Sequence, residues 1–224
     1  MPSASPLIVT LDGPAGVGKS SIASRLAGEL GIAFLDTGAM FRAAAYTLGE
    51  GAWDWTQGIL QQKLGDFEFT LRGSGKDTEL LLNGQPLPED IRSEQVGQWA
   101  SQLAVVPSVR AYMKMAQIFL GQTTPLVAEG RDMGSVVFPG AKFKFFLDAA
   151  PEERARRRFR QLEALGKPAD LEAILSGINQ RDDQDRNRSI APMKPAEGAV
   201  VVDTTHISEG EVLAEILNTV RPPA

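Results

Sequence analysis

Residues 7–20 read Leu7-Ile8-Val9-Thr10-Leu11-Asp12-Gly13-Pro14-Ala15-Gly16-Val17-Gly18-Lys19-Ser20, and a helix-like segment follows from Ser21 to Leu30. Gly13 to Ser20 fits G-x-x-x-x-G-K-[ST], the signature of a phosphate-binding P-loop, in the strand, loop and helix order that the signature requires. Glycines let backbone N–H groups curl around a phosphate, and the helix that follows points its positive dipole end at the same charge. Lys19 is expected to reach the β- and γ-phosphates of a nucleoside triphosphate, and the Ser20 hydroxyl to ligate Mg²⁺. A plain glycine-rich turn is the competing reading, and the complete signature in its context argues against it.

Working outward, four more short apolar runs recur between helical patterns: Ile32 to Leu35, Leu126 to Ala128, Phe143 to Leu147 and Ala199 to Val202. With Leu7 to Leu11 they show little polar alternation, as strands buried on both faces should. The chain is therefore expected to be α/β, with a central parallel five-stranded sheet flanked by helices. At 224 residues it suits one domain with an inserted lobe. The core is expected at about 6–50, 96–150 and 190–220.

Between Trp53 and Arg92 the texture changes. Phe67-Glu68-Phe69-Thr70-Leu71 alternates with period two, residues 72–77 are turn chemistry, and Glu79 to Gly84 reads as a second strand. About 40 residues is marginal for independent folding, so a small antiparallel insertion at about 55–95 is expected. Trp53 and Trp55 at its edge read as packing residues. Pro107 to Gly121 reads as a helix opened by proline and closed by glycine. Another opens at Pro151-Glu152-Glu153 and carries Arg154, Arg156, Arg157, Arg158 and Arg160. Ser208 to Glu211 resembles a capping box for the last helix.

Composition narrows the functions further. There are 23 Lys+Arg against 28 Asp+Glu, a net charge of −5, and no basic tail suited to nucleic acid. The absence of cysteine removes disulfides, thiolate metal sites and cysteine nucleophiles. Met1 to Pro6 carries no basic leader, and Leu7 to Leu11 is too short to span a membrane, so a soluble cytoplasmic chain is expected. His206, the one histidine, falls in a predicted turn and reads as a surface residue.

Three clusters sit where open α/β sheets bind ligands, at the carboxyl ends of strands or on helices able to face them. Asp36-Thr37-Gly38-Ala39-Met40-Phe41-Arg42 follows the second strand, with Arg42 either forking a phosphate or lying solvated on a helix. Glu129-Gly130-Arg131-Asp132-Met133-Gly134 presents two acids and an arginine at a strand end, a poor way to build a core. In the third, a helix from about Asp170 carries Leu171, Ile174, Leu175 and Ile178 on one stripe. At about 100° per residue, Arg181, Asp185 and Arg188 continue that stripe, which favours a ligand-facing cluster over internal salt bridging. The arginine run at 154–160 is either a solvated face or a set of cations for phosphoryl-transfer charge.

Taken together, Leu11-Asp12-Gly13-Pro14 through Lys19, residues 35–42, Ile91-Arg92 through Gln102, Val109-Arg110, Glu129 to Pro139, Phe146 to Ala149 and Arg181-Asp182-Asp183 through Arg188 closely resemble the bacterial cytidylate kinases, a branch of the nucleoside monophosphate kinases. The likeness runs from about residue 7 to 218, and its Gly130 to Gly134 and Arg181 to Arg188 motifs are far more specific than the P-loop. The resemblance implies a P-loop kinase that moves the ATP γ-phosphoryl group to CMP or dCMP, with Mg²⁺. It implies that Asp12, Gly13, Pro14, Ala15, Gly16, Val17, Gly18, Lys19, Ser20, Ser21 and Arg157 bind the donor. Arg42, Arg131 and Arg188 would surround the acceptor phosphate, Thr37 would lie against the acceptor, and Ser101, Arg110 and Asp132 would read the cytosine edge. Arg181 and Asp185 would hold the sugar hydroxyls. Lys19, Arg131, Arg158 and Arg188 would act on the transferred group, and a lid at about 151–168 would carry Arg156, Arg157 and Arg158. The residues at 55–95 match the family's enlarged monophosphate-binding region.

Three positions depart from the family pattern: Thr37 for serine, Phe41 for tyrosine and Glu129 for aspartate. Loss of a phenolic hydroxyl at Phe41 removes one phosphate contact, and Glu129 changes the reach toward Mg²⁺-bound water. Two rivals remain: a kinase for another small acceptor such as UMP, and a GTP-binding switch. Neither D-x-x-G nor N-K-x-D occurs in the chain, which counts against the switch. A monomer that binds small molecules, without nucleic-acid or membrane partners, is expected.

Overall fold

A computed structural model describes residues 6–221; Met1 to Ser5, most of the stretch read for a leader, lie outside the described residues. Five strands form one parallel sheet in the order β2-β6-β1-β7-β8. They are β1 (Ile8–Asp12), β2 (Ala33–Asp36), β6 (Leu126–Gly130), β7 (Phe143–Asp148) and β8 (Val200–Asp203). Each lies within one or two residues of an expected apolar run. A second sheet, β3 (Phe69–Arg72), β4 (Glu79–Leu82) and β5 (Gln85–Pro86), is antiparallel and three-stranded, as expected of the insertion.

The helices begin where local chemistry supplies partners for free N–H groups. Asp36 caps α2 (Thr37–Leu48) by accepting from Ala39, and Ser93 caps α4 (Glu94–Leu103) by accepting from Val96. Pro107 and Pro151 open α5 (Pro107–Thr123) and α6 (Pro151–Ala164). Asp170 caps α7 (Leu171–Asn187), and the Ser208 and Glu211 box caps α8 (Glu209–Val220). The remaining helices are α1 (Lys19–Leu30) and α3 (Gln57–Gly65).

The chain divides into two compact units, one comprising the chain up to Ile8 with Ala27–Glu129, the other Val9–Leu26 with the chain from Gly130 onward. In the first, α2 packs on α4, and α5 packs on α3 and β3. The turn between β3 and β4 also reaches β2: Gly75 N–H donates to the Ile32 carbonyl at 2.8 Å, and Phe34 N–H to Thr78 Oγ1 at 3.0 Å. Gly75 has φ +57, and a Cβ there would lie 2.7 Å from the Gly28 Cα, so the close approach requires glycine.

In the second unit α6 packs on α7. The stripe of Leu171, Ile174, Leu175 and Ile178 is not the buried face expected: Leu171 is exposed and the others are half-buried. Its main neighbour is α6, one helix rather than a sheet, which leaves much of α7 wet. Within the motif that follows, Asp182 is the buried residue and Arg181 is exposed. Trp53 and Trp55 are half-buried, and His206 is exposed, in keeping with a surface role.

Candidate active site

In the second unit, β1 delivers the chain into the loop at Gly13. A Cβ at that position, where φ is +142, would lie 2.0 Å from the Leu147 carbonyl oxygen, so no side chain fits where the loop passes the end of β7. Pro14, Ala15, Gly16, Val17 and Gly18 complete the turn into α1. Lys19 is buried and folds back over the loop, its Nζ donating to the Pro14 carbonyl at 2.6 Å. Ser20 is exposed in the first turn of α1. The Ser21 hydroxyl is engaged elsewhere, donating to Glu209 Oε2 at 2.7 Å.

Asp12 does not point outward as a ligand. Its two carboxylate oxygens accept the N–H groups of Met133 and Gly134 at 2.8 and 2.7 Å, so the end of β1 holds the loop that follows β6. Burial pushes its pKa up from 3.8 to about 6, against the lowering effect of those two N–H groups and of Lys19. Asp132, nearby, adds to the rise.

The loop after β6 and the end of α7 form one ionic network. Arg131 Nε donates to Asp185 Oδ2 at 2.8 Å, and Arg188 Nη2 to Asp132 Oδ1 at 3.1 Å. Arg188 Nη1 also lies 3.6 Å from Asp185 Oδ1. Burial pushes the Asp185 pKa up, but Arg131, Arg181 and Arg188 together outweigh it and hold the carboxyl below its ordinary value. Four residues expected to bind acceptor thus meet, and Arg181 acts on Asp185 by its charge from an exposed position.

The arginines of α6 do not share one role. Glu153 gathers Arg156, Arg157 and Arg160 at 3.0–3.4 Å. Arg157 also donates to the Thr204 carbonyl at 2.5 Å, and the Thr204 hydroxyl lies 3.5 Å from the Val17 carbonyl, next to the phosphate loop. Arg158 is exposed and has no ion pair or hydrogen bond among the described residues. Arg154, read with its neighbours as either a solvated residue or a cation for the transferred charge, is instead buried. Nothing in the local sequence sets it apart from the other arginines of α6.

In the first unit, Arg42 Nη1 donates to the carbonyls of Ile91 and Ser93 at 3.0 and 2.9 Å, and is half-buried. A Cβ at Gly97 would lie 2.8 Å from Arg42 Nη2, so α4 makes room for the guanidinium. Ser101, one turn further along α4, donates to the Gly97 carbonyl at 3.0 Å. Arg110 is buried, gives Nη1 to the Ala104 carbonyl at 3.1 Å and stands 5.9 Å over the Phe41 ring. Phe41, which departs from the resemblance, therefore offers a π-face to a cation. Thr37 is buried, its hydroxyl donating to the Glu129 carbonyl at 2.7 Å. That hydroxyl serves the backbone at the end of β6 in this structure.

Among the described residues, no group of three or more His, Cys, Asp or Glu side chains is placed to hold a metal ion. The exposed Ser20 hydroxyl fits a Mg²⁺ ion carried mainly by phosphate oxygens and water, and does not fit a protein-caged ion. No described helix is long and apolar enough to cross a membrane.

Residues 9–222 match the cytidylate kinase family. A cytidylate kinase from Maridesulfovibrio salexigens is 58% identical over 212 residues, 95% of this chain and 95% of its own. One from Oleidesulfovibrio alaskensis is 50% identical over 215 residues, 96% of this chain and 98% of its own. A solved structure of an uncharacterized protein from Eubacterium ventriosum has a TM-score of 0.50 at 9% identity, covering 97% of this chain and 99% of its own, a likeness of fold alone.

Proposed function

We propose the following chemistry for a chain that belongs to the cytidylate kinase family: it transfers the γ-phosphoryl group of ATP to CMP or dCMP, giving ADP and CDP or dCDP. The observation that carries the residue assignments is the link between β1, the loop after β6 and α7. Asp12, one residue before the phosphate loop, holds the backbone of the loop from which Arg131 and Asp132 pair with Asp185 and Arg188.

In this reading the N–H groups of residues 13–20 cradle the donor phosphates and Lys19 leaves the Pro14 carbonyl to reach the β- and γ-phosphates. Arg42, Arg131 and Arg188 bring the acceptor phosphate in line, and Arg181 with Asp185 takes the sugar hydroxyls. Cytosine offers an N4 amine donor beside N3 and O2 acceptors; Asp132 or Ser101 takes the first, and Arg110 donates to the others. Thr37 lies against the acceptor, its hydroxyl held by the Glu129 carbonyl. Arg158 and Arg157, on a helix that acts as lid, stabilise the charge that develops on the transferred group. Ser20 would hold Mg²⁺, which offsets phosphate charge when bound. No covalent intermediate is needed, because positioning and charge supply the catalysis. The enzyme works as a cytoplasmic monomer in pyrimidine nucleotide metabolism.

An acceptor panel tests the reading. With ATP and a coupled readout of ADP, CMP and dCMP are expected to turn over far faster than UMP or AMP. Faster turnover of UMP than CMP would overturn the assignment of the base-reading residues.

A further inference from the structure

Arg154 is the largest fully buried side chain among the described residues, 1% exposed, and it is a cation in the first turn of α6. The position is unfavourable twice, since burial strips water from the charge and the helix N-terminus repels it. All three arms of the guanidinium are used. Nε donates to the Ala149 carbonyl at 3.0 Å, Nη1 to the Ala15 carbonyl at 3.0 Å, and Nη2 to Asp182 Oδ2 at 2.6 Å. Its stem passes the phosphate loop closely, for a Cβ on Gly16 would lie 3.3 Å from the Arg154 Cβ.

Asp182 is buried as well, and its second oxygen, Oδ1, accepts no hydrogen bond among the described residues. A carboxylate placed there for stability alone would have both oxygens served. Its place in the chain explains more: Asp182 lies between Arg181 and Asp185 on α7. One buried cation therefore joins the backbone of the phosphate loop, the end of β7 and the helix that carries the sugar-binding pair.

We infer that Arg154 and Asp182 are positioning residues that hold the Ala15-Gly16 segment in the shape that receives the donor phosphates, with Asp182 fixing the guanidinium that does so. The inference rests on the assignment of residues 13–20 to the donor. An apolar pair can replace a buried ion pair without loss of stability, but it cannot donate to the Ala15 carbonyl. That difference separates positioning from packing.

The test compares Asp182→Asn and the double variant Arg154→Met with Asp182→Leu against the unaltered enzyme, by thermal melting and by steady-state kinetics with ATP and CMP varied separately. Asp182→Asn is expected to raise the KM for ATP about tenfold while the KM for CMP changes less than threefold. The double variant is expected to melt near the unaltered enzyme and to keep the raised KM for ATP. An unchanged KM for ATP in Asp182→Asn, with kcat reduced only in proportion to the folded fraction, overturns the inference. Recovery of the ATP KM to within twofold in the double variant does the same. Lys19→Ala, assayed alongside, isolates the donor assignment: near-normal turnover there overturns both readings, whereas its loss beside a normal ATP KM in Asp182→Asn overturns the inference alone.

Discussion

Guanidinium groups in this protein meet two kinds of acceptor, the dipole of a carbonyl and the charge of a carboxylate. In the first unit, Arg42 and Arg110 give N–H groups to the carbonyls of Ile91, Ser93 and Ala104. In the second, Arg131, Arg188 and Arg154 give theirs to the carboxylates of Asp185, Asp132 and Asp182 as well as to carbonyls. A carbonyl orients a guanidinium through a dipole, and removing the arginine leaves that dipole unmet. A buried carboxylate holds the guanidinium through a full charge, and removing the arginine strands the charge. The second arrangement is stiffer and more fragile, and through Arg154 it reaches the loop proposed to hold the donor.

Five substitutions probe this contrast, beginning with the largest effect. Lys19→Ala, which removes the cation proposed to reach the donor phosphates, is expected to lower kcat about 10³-fold. CMP binding measured by calorimetry should stay within threefold; an equal loss for CMP would place Lys19 in both sites.

Arg188→Ala removes a cation paired with both Asp132 and Asp185, two acids whose side chains are 8% and 17% exposed. It is expected to lower unfolding free energy by about 3 kcal/mol, against about 1 kcal/mol for Arg42→Ala, which frees the carbonyls of Ile91 and Ser93. Denaturant titrations at pH 7 check the pair, and equal losses would erase the distinction between the two units.

Asp12 sharpens it through pH. Its folded pKa is raised from 3.8 to about 6, so the native state holds the proton more tightly and the wild type loses stability as pH rises from about 4 through 6. An asparagine does not titrate, so the stability of Asp12→Asn relative to wild type is expected to improve by up to about 3 kcal/mol over that window, at about 1.4 kcal/mol per pKa unit. Melting curves at pH 4, 5, 6 and 7 with a flat difference would remove the buried charge from the account. Asp185 has the opposite sign: its lowered pKa stabilises above the ordinary carboxylate range, and that contribution is lost as pH falls through the folded value.

Arg158→Ala has the smallest effect on stability, under about 0.5 kcal/mol, because the side chain is exposed and has no partner among the described residues. A kcat reduced about 10²-fold would still mark its part in transfer. Unchanged kcat would return Arg158 to an ordinary solvated face.

The strands and the phosphate loop were legible because they depend on local chemistry, namely apolar runs with turn signals and glycines at fixed spacing. The network of Arg131, Asp132, Asp185 and Arg188 was legible as two dense charged motifs. Its inward register was not, since the apolar stripe on α7 stays half wet and Asp182, not Arg181, turns inside. Arg154 was hidden among like charges because its acceptors lie at residues 15, 149 and 182, remote in the chain. The settings of Arg42 and Arg110 depend on backbone carbonyls, which every residue has and no residue type announces.

The turn joining β3 and β4 has a consequence for making this enzyme smaller. β2 is an outer strand of the main sheet, and Gly75 and Thr78 meet the Ile32 carbonyl and the Phe34 N–H along its side. Trimming residues 67–92 as dispensable architecture would bare that side, and an uncovered strand edge is a template on which other chains pair. A shortened catalyst would then aggregate before its turnover was measured, unless a new segment took over the covering that two hydrogen bonds and one glycine now provide.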